Sequence, residues 1–227
     1  MNNISQICIW IAELVPLFAT LFSLIFGLKY FFRKGKPLFL QSITMAMGSH
    51  ALGSIYHLCQ TLTNPNIVEG FTPAYLGRIG FFLFIITASY GQLDRIVDDG
   101  SSKMRSARLL ALIAPACAIL LYIPNALIEE ALISTKVTYA LVWIPAIISV
   151  YFNLKHVIIP DLDFGFIKAI KPYSVAILCL SFAELGCLTA WDYYFYPIPL
   201  AFSAVLFGVL CIVSMITAKK GVEKWTI

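Results

Sequence analysis

Seven apolar stretches follow one another along the chain, each about as long as one bilayer crossing: Ile7–Leu28, Leu38–Leu62, Pro73–Leu93, Leu109–Ile128, Val137–Leu154, Tyr173–Ala190 and Pro197–Ala218. A crossing takes roughly 20 apolar residues, so seven of them consume most of the 227 available. What remains is short connections, with no room for a soluble catalytic domain. Composition agrees: 60% of residues are hydrophobic and only 12% charged, against about a quarter charged in an ordinary soluble domain. Disorder, a collagen-like repeat, a disulfide scaffold and a free nucleic-acid-binding domain are excluded on the same ground. The expectation is an all-α integral membrane protein with seven transmembrane helices in a single domain, residues 1–227.

Charge gives the expected orientation. Of the 16 Lys and Arg residues, all but Lys136 and Arg78 fall after the first, third, fifth and seventh stretches. Basic residues near helix ends are retained in the cytoplasm, so the N-terminus is read as outside and the C-terminus as cytoplasmic. The first stretch has no basic residue before it and no small-residue cleavage site after it, and is read as a retained helix. Trp10, Tyr193, Tyr194 and Tyr196 then mark the outer interface, and Tyr30, Tyr151 and Tyr173 the inner one. The compact loops suggest a bacterial inner membrane.

Two halves of the chain share punctuation. Pro16 and Pro145 lie in the outer halves of helices one and five, which end in Leu28-Lys29-Tyr30 and Leu154-Lys155-His156; Lys36-Pro37 and Lys171-Pro172 then open the following helices. Helices three and seven carry Ile86-Thr87-Ala88 and Ile216-Thr217-Ala218. This pattern points to a 3+1+3 parallel repeat, with units 1–96 and 137–220 around a linker helix at 109–128. Such a plan resembles that of SWEET sugar transporters, PQ-loop proteins and nicotinamide riboside transporters. The resemblance is one of architecture: the chain has no Pro-Gln dipeptide and no paired-tryptophan helix, so no binding residue carries over.

Ionisable side chains inside a span are costly, so each needs a partner, water or a task. Glu13, His50, Arg78 and Glu184 all fall in the outer halves of their helices. On helix two, His50, Ser54, His57 and Thr61 form one stripe at helical spacing. Ala46, Gly48 and Gly53 offer small surfaces to a neighbouring helix. Helix six repeats the pattern with Ser174, Ser181 and Glu184, and helix three with Arg78, Ser89 and Gln92. The sharper reading is an outward-facing pocket for a small molecule, lined by Glu13, His50, His57, Arg78 and Glu184, with Trp143, Tyr122 and Asn125 as walls. The plainer one is a set of structural ion pairs, Arg78 with Glu13 and His50 with Glu184. His50 and Glu184 also suit a proton role, whereas His156 reads as interfacial.

Other chemistry finds little support. Six scattered cysteines without a CxxC pair read as small apolar side chains. Two of three histidines share helix two, which does not suit haem ligation between facing helices. No Lys inside helix seven anchors a retinal, and there is no phosphate loop, GxSxG or HExxH. No cofactor or metal is expected. One stretch, Gly53-Ser54-Ile55-Tyr56-His57 with Leu76-Gly77-Arg78-Ile79-Gly80-Phe81-Phe82-Leu83, resembles helices two and three of the hemolysin III, adiponectin receptor and alkaline ceramidase superfamily. The resemblance implies a zinc amide hydrolase with His57 as one ligand. Against it, Gly77 stands where that family has an acid, Ser54 is one position too close to His57, and helix seven holds no His.

The leading expectation is a small-solute transporter, with proton coupling as a further possibility. A ligand-binding receptor or sensor subunit and the incomplete hydrolase are the alternatives. Expected partners are the lipid bilayer, a small solute and a cytoplasmic protein at the inner loops, for example along Val157–Ile170; nucleic acid is not among them.

Overall fold

A computed structural model describes residues 3–32, 38–63, 71–98, 100–127, 133–159, 166–192 and 197–225. The described residues are almost all helical, in chain order α1 (Asn3–Phe31), α2 (Leu38–Thr63), α3 (Pro73–Ala88), a π-helical turn (Ser89–Asp94), α4 (Arg95–Val97), a 3-10 turn (Ser102–Met104), α5 (Arg105–Leu110), α6 (Ile113–Leu127), α7 (Ile133–Ile158), α8 (Phe166–Asp192) and α9 (Pro197–Trp225). The aromatic residues Tyr193, Tyr194 and Tyr196, residues 160–165 of the partner-docking stretch and the Asn125 side chain lie outside the described set.

Six segments are long and apolar enough to cross a membrane: Ile4–Phe31, Pro73–Asp94, Ser102–Pro124, Lys136–Ile158, Ala169–Thr189 and Pro197–Glu223. The count is one below the seven stretches read from sequence. The helix that falls short is α2, which has the length but carries Gln41, Ser42, Thr44, Ser49, His50, Ser54, His57 and Gln60 among its apolar residues. Its polarity is the price of the site it carries.

Burial departs from the pattern of a soluble protein on both sides of the helices. Phe18, Phe22, Ile25, Leu52, Leu83, Leu120, Phe202 and Val209 are exposed on the outside of the bundle, while Glu13, His50, Thr44, Ser181 and Glu184 are buried within it. Such an arrangement is stable where the surrounding solvent is hydrocarbon, because polar groups then gain by turning inward. The molecule is a polytopic, membrane-type helical bundle.

Neighbour contacts close a ring: α1 packs on α2, α2 on α3, α3 on α7, α7 on α8, α8 on α9, and α9 returns to α1. Helix α6 stands beside this ring, against α7 and α8. Aromatic residues fill its middle, with Phe81, Phe82 and Phe207 fully buried and Phe39 packed edge-on to Tyr173 at 4.8 Å between centroids. Tyr173 is thus a core residue, because its helix turns it toward Phe39 and away from the headgroup region.

The closest approach is between α2 and α3. A Cβ at Gly77 would stand 2.6 Å from Gly53 Cα and 2.7 Å from the Ser49 carbonyl oxygen, so only hydrogen fits there. Ser49 Oγ donates to the Gly77 carbonyl at 3.0 Å across the same crossing. Small residues that let backbones meet, joined by a hydroxyl bond, are the usual means of holding helices together in lipid.

Several helices run differently from the sequence reading, three of them in ways that matter to the path of the chain. Pro172 lies inside α8, which starts at Phe166; Pro172 removes one backbone donor, and neighbouring helices and local adjustment make this tolerable in a membrane bundle. The third stretch changes from α to π geometry at Ser89, as happens where an extra residue is accommodated within a helix. The fourth begins at Arg105 and breaks at Ala111-Leu112 before α6. Helix α3 starts as expected, with Pro73 in its first turn after an extended Thr72.

The α2–α3 contact makes a direct prediction. Gly77→Ala should destabilise the protein by about 1–3 kcal/mol, the usual cost of overpacking. Gly91→Ala, where an added Cβ meets nothing within 4 Å, should not. Thermal unfolding in detergent compares the two.

Candidate functional site

The contact at Gly77 places the next residue, Arg78, against the polar stripe of α2. Arg78 Nε lies 2.9 Å from Glu184 Oε1, joining α3 to α8. His50 Nε2 reaches the same oxygen at 3.4 Å from α2. The other imidazole nitrogen, Nδ1, is 3.2 Å from Ser54 Oγ, one turn further along its own helix. The ring of His50 is wedged between Phe207 at 4.6 Å and Phe81 at 5.4 Å between centroids. Four helices of the ring therefore meet at this histidine. Its apolar clamp fixes where the polar edge points.

A second pair lies beside the first. His57 Nε2 is 3.0 Å from Glu13 Oε1, joining α2 to α1. His50 and Glu184 are each 2% exposed and Glu13 6%. The two pairs border one cavity of about 30 Å³, lined also by Pro16, Ser54 and Cys187. That is room for a few water molecules. In this conformation the groups close on one another, and a solute enters only if they part.

The five lining residues singled out from sequence, Glu13, His50, His57, Arg78 and Glu184, come together here. Trp143 stands apart from the cavity, buried against Tyr122 with its indole N–H donating to the Ala118 carbonyl at 3.0 Å. Tyr75, whose ring lies 5.6 Å from the Arg78 guanidinium, is the aromatic neighbour of the site, although it does not line the cavity. The pairing also differs from the structural pairs read from sequence: Arg78 goes to Glu184 rather than Glu13, and Glu13 to His57. The reason is depth and direction, because α3 meets α2 at Gly53 and so delivers Arg78 to the α8 side of the stripe.

Counting formal charges shows what the site can do. Glu13 and Glu184 are two acids facing one permanent cation, Arg78, with two imidazoles able to supply the balance. Inside a low-dielectric bundle an uncompensated carboxylate is costly. The arrangement is therefore a poorer host for an anion than for a cation.

A second charged cluster was missed from sequence. At the end of the bundle carrying most of the basic residues, Lys155 Nζ pairs with Asp94 and, at 3.1 Å, with Asp98 Oδ2. His156 Nε2 lies 3.2 Å from Asp94 Oδ1, and Arg108 Nε 3.2 Å from Asp98 Oδ2. The side chains of Lys155 and His156 are 4% and 1% exposed, so His156 is a buried partner of Asp94 and not an interfacial residue. The signal was the spacing of Asp94 and Asp98, one helical turn apart beside Lys155-His156 at the same expected depth. A run of flanking basic residues hid it.

Zinc does not fit the described residues. Among them no three His, Cys, Asp or Glu side chains gather as metal ligands would, and Arg78 occupies the face of Glu184 that a metal would need. The stretch resembling the hydrolase superfamily instead makes a helix crossing, with Gly77 at its closest point. A scan of family models finds no match for the chain, and searches of curated proteins and solved structures likewise return none.

If Glu184 holds Arg78 in place, Glu184→Leu should cost up to about 3–5 kcal/mol by stranding a guanidinium in the bundle. Combining it with Arg78→Met should restore much of that loss. A double-mutant cycle on thermal unfolding measures the coupling.

Proposed function

We propose that the chain is a proton-coupled transporter of a small solute, inserted with all seven long helices across the membrane, its N-terminus outside and its C-terminus cytoplasmic. A bacterial inner membrane is the host proposed from the short connections. The observation that supports this reading most is Glu184, a buried carboxylate shared by Arg78 and His50 at the centre of the helix ring. Ionisable residues facing a bundle interior are the ordinary components of substrate and proton pathways. The excess of acids over permanent cations gives the site a reason to bind a proton.

The ring also supplies a means of movement. Helices α1–α3 and α7–α9 are each contiguous in sequence and meet along α3–α7 and α1–α9, with α6 beside them. Two three-helix units rocking about a central site would open it alternately to either side. Pro16 and Pro145 each remove one helical hydrogen bond and provide points of bending. The Lys155–Asp94–Asp98 cluster would shut the cytoplasmic end while the Glu184 end opens.

A ligand-binding sensor subunit is the second reading, favoured by the small size of the cavity, since ion pairs that part around a ligand also make a two-state switch. Uptake into reconstituted vesicles decides between them. A panel of radiolabelled small metabolites, offered with and without an imposed proton gradient, should include one whose gradient-driven uptake falls about tenfold or more in Glu184→Gln, equivalent to at least 1.4 kcal/mol. Uptake equal in the two proteins would count against transport, and thermal stabilisation by a metabolite without flux would favour the sensor. Topology is checked separately: an engineered cysteine after Trp225 should be protected from an impermeant thiol reagent in intact cells.

A further inference from the structure

Between the Glu184 site and the Asp94–Lys155–His156 cluster lies a set of buried hydroxyls: those of Ser149, Ser174 and Ser181 have no hydrogen-bond partner among the described residues, and that of Tyr173 lies beside Ser89. Ser149, Ser174 and Ser181 are 0% exposed and Tyr173 1%. Nearly all buried polar groups in native proteins are paired, and those without a protein partner usually bind internal water. In a bundle surrounded by hydrocarbon the demand is stronger still. Three such hydroxyls on two packed helices, with Tyr173 among them, are places that internal water would satisfy.

Their order along the helices makes the path continuous in depth. On α8, Ser181 lies one turn from Glu184, and Ser174 and Tyr173 about two turns further, roughly 10–12 Å. The Tyr173 hydroxyl lies beside Ser89, and Ser89 Oγ donates to Asn153 Oδ1 at 3.4 Å. Asn153 is thereby level with Tyr173 on the antiparallel neighbour α7. Its amide donates to the Ser149 carbonyl at 2.8 Å, which sets Ser149 one turn back toward Glu184 and into the interval between Ser174 and Ser181. Beyond Asn153 come Lys155 and His156, bound to Asp94. The π-helical turn begins at Ser89 and ends at Asp94, so one irregular segment contributes to both the path and its terminus.

We propose that Ser181, Ser149, Ser174, Tyr173 and the Ser89–Asn153 pair hold a file of internal waters that carries protons between Glu184 and the Asp94–His156 cluster. The idea rests on the proton-coupled reading above and specifies its route. A proton arrives at the Glu184 carboxylate, faced by His50 from α2, Arg78 from α3, Cys187 from its own helix and Cys211 from α9. It passes along the file as each oxygen accepts one proton and releases another, leaving every hydroxyl unchanged. It leaves through Asp94 or His156, which Lys155 and Asp98 surround, with Arg108 behind Asp98.

The test uses the full chain in vesicles loaded with a pH-sensitive dye, with a potassium diffusion potential drawing protons inward. Native protein should acidify the lumen faster than protein-free vesicles. Ser149→Ala/Ser181→Ala, which removes hydroxyls without adding bulk, should slow this by about tenfold, the rate equivalent of roughly one lost hydrogen bond in the file. Ser214→Ala is the control, because Ser214 bonds back to Cys211 on α9 and lies off the path. Radiolytic labelling should modify Tyr173, as a ring beside bound water is, and fully buried Phe82 much less. Native acidification no faster than empty vesicles, an unaffected double variant, or an unlabelled Tyr173 would each overturn the proposal. Glu184-dependent metabolite uptake without Ser181-dependent acidification would sink the route and leave the transporter. Ser181-dependent acidification without metabolite uptake would do the reverse.

Discussion

Everything in this bundle is arranged around one buried carboxylate. Taking Glu184 out of water is worth doing only if its charge is met at short range, and Arg78 and His50 meet it from two other helices. Those contacts require α2, α3 and α8 to converge at one depth. The requirement explains the glycine pair at the α2–α3 crossing, because any larger residue at Gly77 would push Arg78 away from its partner. It also explains the aromatic clamp of Phe81 and Phe207, which excludes water from one face of His50 and so strengthens the interaction on the other.

The same logic operates at the opposite end with different parts. There two aspartates share Lys155, with Arg108 and His156 outside them, and the surrounding rings of Tyr151 and Phe152 lie 5.9 and 5.2 Å from the ammonium. Helix α3 and its π-helical continuation belong to both ends, carrying Arg78 to one and Asp94 to the other. A shift of this helix along its axis would strain both clusters at once. That coupling is what a protein needs if its two ends are not to open together.

Much of this was legible in the sequence because membrane solvation imposes simple rules. The helices follow from apolar length, and the stripe His50, Ser54, His57 from period alone. The His50–Glu184 contact was legible too, but the partner of Arg78 was not. Whether Arg78 goes to Glu13 or Glu184 depends on which side of α2 the third helix crosses, and that is settled by a glycine contact distant in sequence. Trp143 misled because tryptophan serves equally as a pocket wall and as a packing residue with one polar edge; here the edge bonds to Ala118. The Lys155–His156 cluster was hidden because orientation already explains basic residues at helix ends, and burial is invisible to that argument. Pro172 was read as a helix start, although proline also sits within membrane helices whose neighbours restore what it removes.

The ring closes only when α9 packs against α1, and this imposes an order on assembly. Helices α1 and α2 come first in the chain, and the Glu13–His57 contact lies wholly between them, so that acid and imidazole can be matched without the later helices. His50 has no such local companion. Its acid lies on α8, made more than half a chain later, so α2, the least apolar of the long helices, waits in an incomplete environment until the second half arrives. In the interval Ser54, one turn along the same helix, is the polar neighbour its imidazole already has.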